Sequence, residues 1–247
     1  MRRPGGFTLL ETVLALAITS ILLAGLAPLL TRANHRAREQ ETAAALRAIK
    51  DAIAGTADGA PGFLATMGRL PRSLDELLTA DPSGRAGLGG VPVGWVGPYL
   101  VSGAPAPLKD GWGRPFVLEG CGAGWRLRSL GPDGARSAED DLVLPPQGCF
   151  PTTGTLRLEI LRDAGAALGV PAGALSATLY AAVDGHETAL PGTVSANSVS
   201  FYCGGAECQI PLGAHAAAVQ LDKGPAFVRT VTVSRAVNSA SLAFPFP

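Results

Sequence analysis

The stretch GGFTLLETVLALAITSILLAGLAPLL, residues 5–30, decides the architecture of this chain. From Phe7 to Leu30 it holds 24 residues, and Glu11 is the only charge among them. A helix crosses a bilayer with about 20 apolar residues, so the run is long enough to span one. A carboxylate in hydrocarbon costs on the order of a few kcal/mol even on the mild insertion scales. Its place so near the start of the run therefore calls for a partner. Arg2 and Arg3 precede the run, and Arg32, Arg36 and Arg38 follow it. With positive charge on both sides, the positive-inside rule alone does not set the orientation. A cleaved secretory signal has an apolar core of about 7–15 residues. This run is longer, and the small residues near Ala27 are followed by Pro28, a poor place to cut. A plain anchor explains the length and leaves Glu11 without a reason.

The short basic leader ends in Gly6, and Phe7-Thr8-Leu9-Leu10-Glu11 follows at once. Glycine, then an aromatic residue, then an acid at the fifth position resembles the class III signal of type IV prepilins and type II secretion pseudopilins. The resemblance implies cleavage between Gly6 and Phe7 by a prepilin peptidase on the cytoplasmic side, with N-methylation of Phe7. It also implies that Glu11 pairs with the free amine of a neighbouring subunit as a filament assembles. A buried acid is tolerable when paired, and the pairing disfavours wrong axial registers. Other pilin or pseudopilin subunits, an inner-membrane assembly platform and its ATPase are the implied partners. The implied location is the bacterial inner membrane, as a single-pass protein with its head in the periplasm. Pro28 sits where stems of this family commonly carry a proline that kinks or loosens the helix.

After Leu30 the chain continues as TRANHRAREQETAAALRAIKDAIAG, residues 31–55. Leu46, Ile49 and Ile53 recur at helical spacing among Ala, Arg and Glu, which predicts an amphipathic continuation of the helix ending near Gly55. His35, on this rod, reads as a solvated or interfacial side chain. Ser73 followed by Glu76, with Pro71 just outside, has the form of a capping box and predicts a short helix from Ser73.

The run L-P-x-S-L from Leu70, G-P-Y-L from Gly97, D-x-W-G-R-P-F from Asp110, S-L-G-P-D-G from Ser129 and D-D-L from Asp140 resembles the head of the major pseudopilin of type II secretion. The family usually has Pro between Asp and Trp, where this chain has Gly111. The resemblance implies a calcium ion in the last loop. Its carboxylate ligands would be Asp133 and Asp141, with Asp140 a close contender, and main-chain carbonyls including Leu130 would complete the set. Calcium accepts such mixed sets of oxygens. Read without the family, the loop is a polar turn whose Asp side chains cap backbone N–H groups.

A Pro/Gly boundary, PPQGCFPTTG from Pro145, leads into about a hundred further residues. Leu156, Leu158 and Ile160 alternate with polar residues, as do Leu175, Leu179 and Val183 with Ala between, and Val199, Phe201 and Cys203. Val231 with Val233, and Leu242, Phe244 and Phe246, extend the pattern. Six or seven short strands joined by turns such as VDGH and DKGP predict a small β-sandwich. IPLGAHAAAVQL with VRTVTVS resembles prealbumin-like or carboxypeptidase-regulatory-like modules.

The expected fold is therefore α+β. Residues 1–6 form the leader, 7–30 a transmembrane or filament-core helix, and 31–55 its amphipathic continuation. Residues 56–149 form a pseudopilin-like head and 150–247 an all-β sandwich.

Composition narrows the function. Twenty basic and twenty acidic residues give a net charge of zero, so no nucleic-acid partner is expected. Residues 150–247 carry five basic and six acidic side chains, which suits a packing or binding surface. Cys121, Cys149, Cys203 and Cys208 all follow the apolar run and read as two disulfides in an oxidising compartment. Three pairings are possible; the simplest is local, Cys121 with Cys149 and Cys203 with Cys208. No C-x-x-C occurs, and His35, His186 and His215 stand at no ligand spacing, which argues against zinc. His186 and His215, isolated among Gly and Ala, read as turn or core residues. No Ser/His/Asp order with supporting context and no paired acids stand out, so the expected role is structural, not enzymatic. The leading reading is a pseudopilus subunit that supports protein export. The alternative is a minor pilin of a surface type IV pilus whose β-module adheres or binds a ligand.

Overall fold

A computed structural model describes residues 8–56, 60–79, 83–100, 108–136, 139–162, 174–195, 198–222, 224–234 and 237–244, the side chains of 22–27 and 244 excepted. One helix, α1, runs over Leu9–Ala54, 46 residues, and passes through Pro28 without a break. At 1.5 Å per residue it is about 69 Å long. Gly55 ends it, its N–H donating to the Asp51 carbonyl at 2.7 Å. The two halves of α1 meet different surroundings. Leu9, Leu10, Leu14, Leu16, Ile21, Leu29 and Leu30 are each more than half exposed, whereas Leu46, Ile49 and Ile53 are buried. Each of those three buried side chains contributes roughly 1.5–3 kcal/mol of transfer free energy. Among the described residues, which omit the side chains of 22–27, no helix is long and apolar enough to cross a membrane.

After α1 come α2 (Phe63–Met67) and a 3-10 turn over Leu74–Leu77. Ser73 flanks that turn without a side-chain cap, so the expected capping box does not form. Glu76 instead receives Arg69 Nη1 at 2.9 Å, a stronger, charge-assisted partner than a backbone N–H. β1 (Arg85–Ala86) and β2 (Pro92–Val93) make a minimal hairpin. A four-stranded antiparallel sheet follows: β3 (Val117–Cys121), β4 (Gly124–Ser129), β5 (Leu142–Leu144) and β6 (Phe150–Pro151), with β4 pairing to all three others. Trp125 and Leu127 of β4 are fully buried in the same cluster as the Leu46, Ile49 and Ile53 stripe. Phe150 and Pro151 lie opposite Trp125 and Gly124, so these two residues, grouped above with the C-terminal module, hydrogen-bond into the head sheet.

The rest of the chain is β: β7 (Thr153–Arg162), β8 (Leu175–Val183), β9 (His186–Ser195), β10 (Ser198–Cys203), β11 (Ala206–Glu207), β12 (Ile210–Pro211), β13 (Gly213–Leu221), β14 (Ala226–Val233) and β15 (Val237–Phe244). They form one nine-stranded sheet with the main order β12-β7-β10-β9-β8-β13-β14. β15 adds in parallel to β7, opposite Thr155 to Arg162. All the other pairs are antiparallel. β14 also packs against β7 and β15, so the sheet curls until its ends approach.

Two packed sheets were expected, and a single curled one is found. Strand twist accumulates across neighbouring strands and brings the two ends of a wide sheet together. The inward residues are the expected ones over most of their length: Leu156, Leu158, Ile160, Leu175, Leu179, Val199, Phe201, Val231 and Val233 are buried. Val183 and Cys203 are exposed, because their strands run past the core into turns. Phe246 lies outside the described residues.

α2 lies against β8 and β13 and ties the head to the curled sheet. Gly68, at φ +70°, leaves no room for a Cβ, which would overlap the Ala182 carbonyl oxygen. At Gly213 a Cβ would overlap Ala65. The Gly185 N–H donates to the Met67 carbonyl at 2.8 Å, and Glu187 Oε1 accepts from the Leu88 N–H at 2.6 Å. The buried apolar residues of stem, head and curled sheet make one continuous cluster.

Candidate functional site

Two places carry the residues marked by the sequence: the start of α1 and the loop between β4 and β5. Gly6 and Phe7 lie outside the described residues. Thr8 is the N-cap of α1, in extended conformation, and its Oγ1 accepts from the Glu11 N–H at 3.3 Å. Glu11 is thus the third helical residue of a Thr-x-x-Glu start and is exposed. A carboxylate in the first turn is favoured by the positive end of the helix dipole. The cap role of Thr8 went unread above, although the Thr-x-x-Glu spacing before an apolar run is its signature.

The β4–β5 loop is built on a hydrogen-bonded frame from the neighbouring turn. Asp110 is buried. Its Oδ1 accepts from the N–H groups of Trp112 at 3.0 Å and Arg114 at 2.9 Å, while its Oδ2 accepts from Ser129 Oγ at 2.6 Å. Ser129 Oγ accepts in turn from the Gly131 N–H at 3.2 Å, and Arg114 Nη1 donates to the Gly131 carbonyl. The D-x-W-G-R and S-L-G-P-D-G motifs are therefore two halves of one structure. Gly111, the departure from the family pattern, sits against α1: its N–H donates to Thr42 Oγ1 at 2.9 Å, and a Cβ would crowd the Arg38 backbone.

Three of the four positions marked for calcium, Asp133, Leu130 and Asp141, have hydrogen-bond partners within the fold. Asp133 Oδ1 accepts from the Ala135 N–H at 2.8 Å, and the Leu130 carbonyl accepts from the Gly134 N–H at 3.0 Å. The Asp140 carbonyl closes over Gly131. Asp141, whose side chain is 1% exposed, receives Arg128 Nη1 at 2.5 Å. Arg128 Nε also reaches Glu119 Oε1 at 2.8 Å, Arg126 Nε reaches Glu119 Oε2 at 2.7 Å, and Arg136 Nη2 reaches Glu119 Oε1 at 2.5 Å. Burial pushes the Glu119 carboxyl up, but the hydrogen bonds from Arg128 and Arg126 and the charges of Arg128 and Arg136 outweigh it and hold it below its ordinary value. Burial likewise pulls Arg128 down, and its two carboxylate partners more than compensate. Among the described residues no three His, Cys, Asp or Glu side chains gather as a metal-binding group. A divalent cation at Asp141 would stand beside a guanidinium of like charge. These residues do not fit calcium.

Both local disulfides are formed, Cys121–Cys149 and Cys203–Cys208. The first closes the head sheet beside Trp125, whose ring packs on Phe150 at 5.0 Å between centroids. The second ties β10 to the segment after β11. His35 pairs with Glu39 at 3.1 Å on the open side of α1 and meets the Trp112 edge. His186 is exposed and His215 is buried.

With the geometry in place, comparison with known proteins adds one finding. Residues 1–27 match the family model of the prokaryotic N-terminal methylation motif. The match supports a pilin-like protein: it implies processing by a prepilin peptidase and assembly with other pilin subunits. No curated protein and no solved structure matches the chain.

Proposed function

We propose that this chain is a structural subunit of a type II secretion pseudopilus or a closely related filament. It is anchored as a single-pass protein in the inner membrane, with its head in the periplasm, until it is assembled. The observation that carries the reading is the methylation motif opening directly onto a 46-residue helix with Glu11 in its first turn. The exposed apolar first half of α1 supports it, since that surface needs lipid or a neighbouring stem as cover. After cleavage the Phe7 amine stands one residue before the cap, and Glu11 of a neighbour neutralises it. The five head motifs favour the secretion system over other pilin systems.

The curled sheet meets the last turns of α1 at a cleft of about 360 Å³, lined on one side by Lys50, Ala54 and Gly55 and on the other by Leu212, Gly213 and Val233. That position, at the end of the stem away from the leader, supports a low-abundance or tip-proximal subunit. The role is structural and not catalytic. The test is a quantitative comparison of culture supernatants from parent and deletion strains. Selective loss of exported proteins with surface pili unchanged is the expected result; an unchanged secretome refutes the secretion reading. Glu11→Ala is expected to leave cleavage intact and to abolish assembly, and normal filaments from that variant refute the pairing.

A second reading, a minor pilin that binds a ligand through its β-module, has one observation in its favour. The outer faces of β15, β7, β10 and β9 line a polar cleft of about 520 Å³ with Arg157, Glu159, Ser195, Ser198, Ser239 and Ser241. Loss of surface adhesion with an intact secretome in the deletion strain would select it.

A further inference from the structure

Arginines tie the β4–β5 loop to the head at its start, middle and end. At the start, Arg114 donates to the Gly131 carbonyl. In the middle, Arg136 returns to Glu119 on β3 at 2.5 Å. At the end, Arg128, on β4, reaches Asp141 at 2.5 Å and Glu119 at 2.8 Å. The side chains at the centre are secluded: Arg128 is 10% exposed, Glu119 9% and Asp141 1%.

We infer that this arginine network, centred on Arg128, orders the β4–β5 loop without any divalent cation, so that the head is complete in calcium-free medium. The geometry supplies the reason. One guanidinium offers several donors in a rigid fork, so it can join two carboxylates on separate segments as a bridging metal ion would. Its charge is permanent, so the bridge does not depend on the supply of an ion. Glu119 adds a second node that takes three arginines, which fixes β3, β4 and the loop to one another. Arg128 holds Asp141 through Oδ2, and a divalent cation at that carboxylate would stand beside the guanidinium's like charge. The inference stands apart from the secretion reading, because it concerns the order of a loop in the isolated chain.

The test uses the full-length chain in detergent micelles. Calcium chloride is titrated calorimetrically, and thermal unfolding and limited proteolysis are followed with calcium or with excess EGTA. The expected result is no saturable binding heat and the same melting curve and cleavage pattern in both media. Arg128→Met is expected to raise cleavage between residues 130 and 141 by roughly tenfold or more, since it takes the guanidinium from the buried Asp141 carboxylate and cuts its tie to Glu119, which keeps only Arg126 and Arg136. Added calcium is expected not to restore resistance. Arg136→Met, at an exposed position, loosens the loop less and serves if Arg128→Met does not fold. A saturable calcium site in the parent protein, a melting point lowered by EGTA, or a loop equally resistant in both variants would overturn the inference.

Discussion

Lowering the pH below about 6.5, the ordinary histidine value, should weaken the curled sheet through one side chain, His215. Its ring is 1% exposed, faces Val231 across β13 and β14, and has Nε2 2.7 Å from the Pro211 carbonyl. Nδ1 is buried with no hydrogen-bond partner. Burial pulls this imidazole below its ordinary value, and the bond to Pro211 offsets only part of that. A depressed basic group is neutral in the fold while the unfolded chain takes up a proton. Stability is therefore full above the unfolded pKa and falls as the pH drops through it, levelling off at the folded pKa. Within that window each pH unit costs about 1.4 kcal/mol. At pH 5.5 the penalty is about 1.4 kcal/mol as long as the folded ring stays neutral, which lowers the melting point by roughly 3–5 °C for a chain of this size.

The control is His215→Gln, whose amide can still donate to the Pro211 carbonyl but does not titrate. Melting curves of both proteins in micelles, from pH 7.5 to 5.5, isolate the term, since the exposed His35 and His186 are common to both. The variant is expected to show the flatter profile. Equal slopes would refute the assignment of a neutral, buried imidazole.

The disulfides should differ in worth. Their sequence separations of 28 and 5 residues give chain-entropy contributions of about 3.6 and about 2.2 kcal/mol. Replacing Cys121 and Cys149 by Ser should therefore lower the melting point more than replacing Cys203 and Cys208; the reverse order would refute the loop-closure account. Gly68→Ala should cost about 2–4 kcal/mol through strain at positive φ and overlap with the Ala182 carbonyl, measured as a drop in melting point. A neutral effect would mean that α2 does not bear on β8. Thr8→Ala should remove about 1 kcal/mol of helix-start stability, read as faster amide exchange in the first turn, and unchanged exchange would refute the cap.

Much of the architecture was legible because local chemistry wrote it. Gly6, Phe7 and Glu11 stand within one short stretch, and the apolar run needs no tertiary context to be read as a helix. Leu46, Ile49 and Ile53 gave the buried stripe by spacing alone, and Gly55 gave the stop. The inward sets of β7, β8, β10 and β14 followed from period two, since alternation reports which face is dry. That same alternation is identical for two packed sheets and for one curled sheet, which is why the single sheet and the parallel β15–β7 pair were not readable. The capping box at Ser73 failed for a related reason: Glu76 had a better partner in Arg69, from outside the local window.

The sequence by itself determined a methylation-type N-terminal motif on a long helix with an acid in its first turn, followed by a β-rich remainder. It did so because helix start, apolar run and strand alternation are local properties. Tertiary structure alone decided that the head and the curled sheet share one core, with Gly68 and Gly213 at the contact. It also decided that Asp141 belongs to Arg128. That pairing joins β4 to the entry of β5, and the balance of charge in a buried cluster depends on which segments the fold brings together, not on their order along the chain.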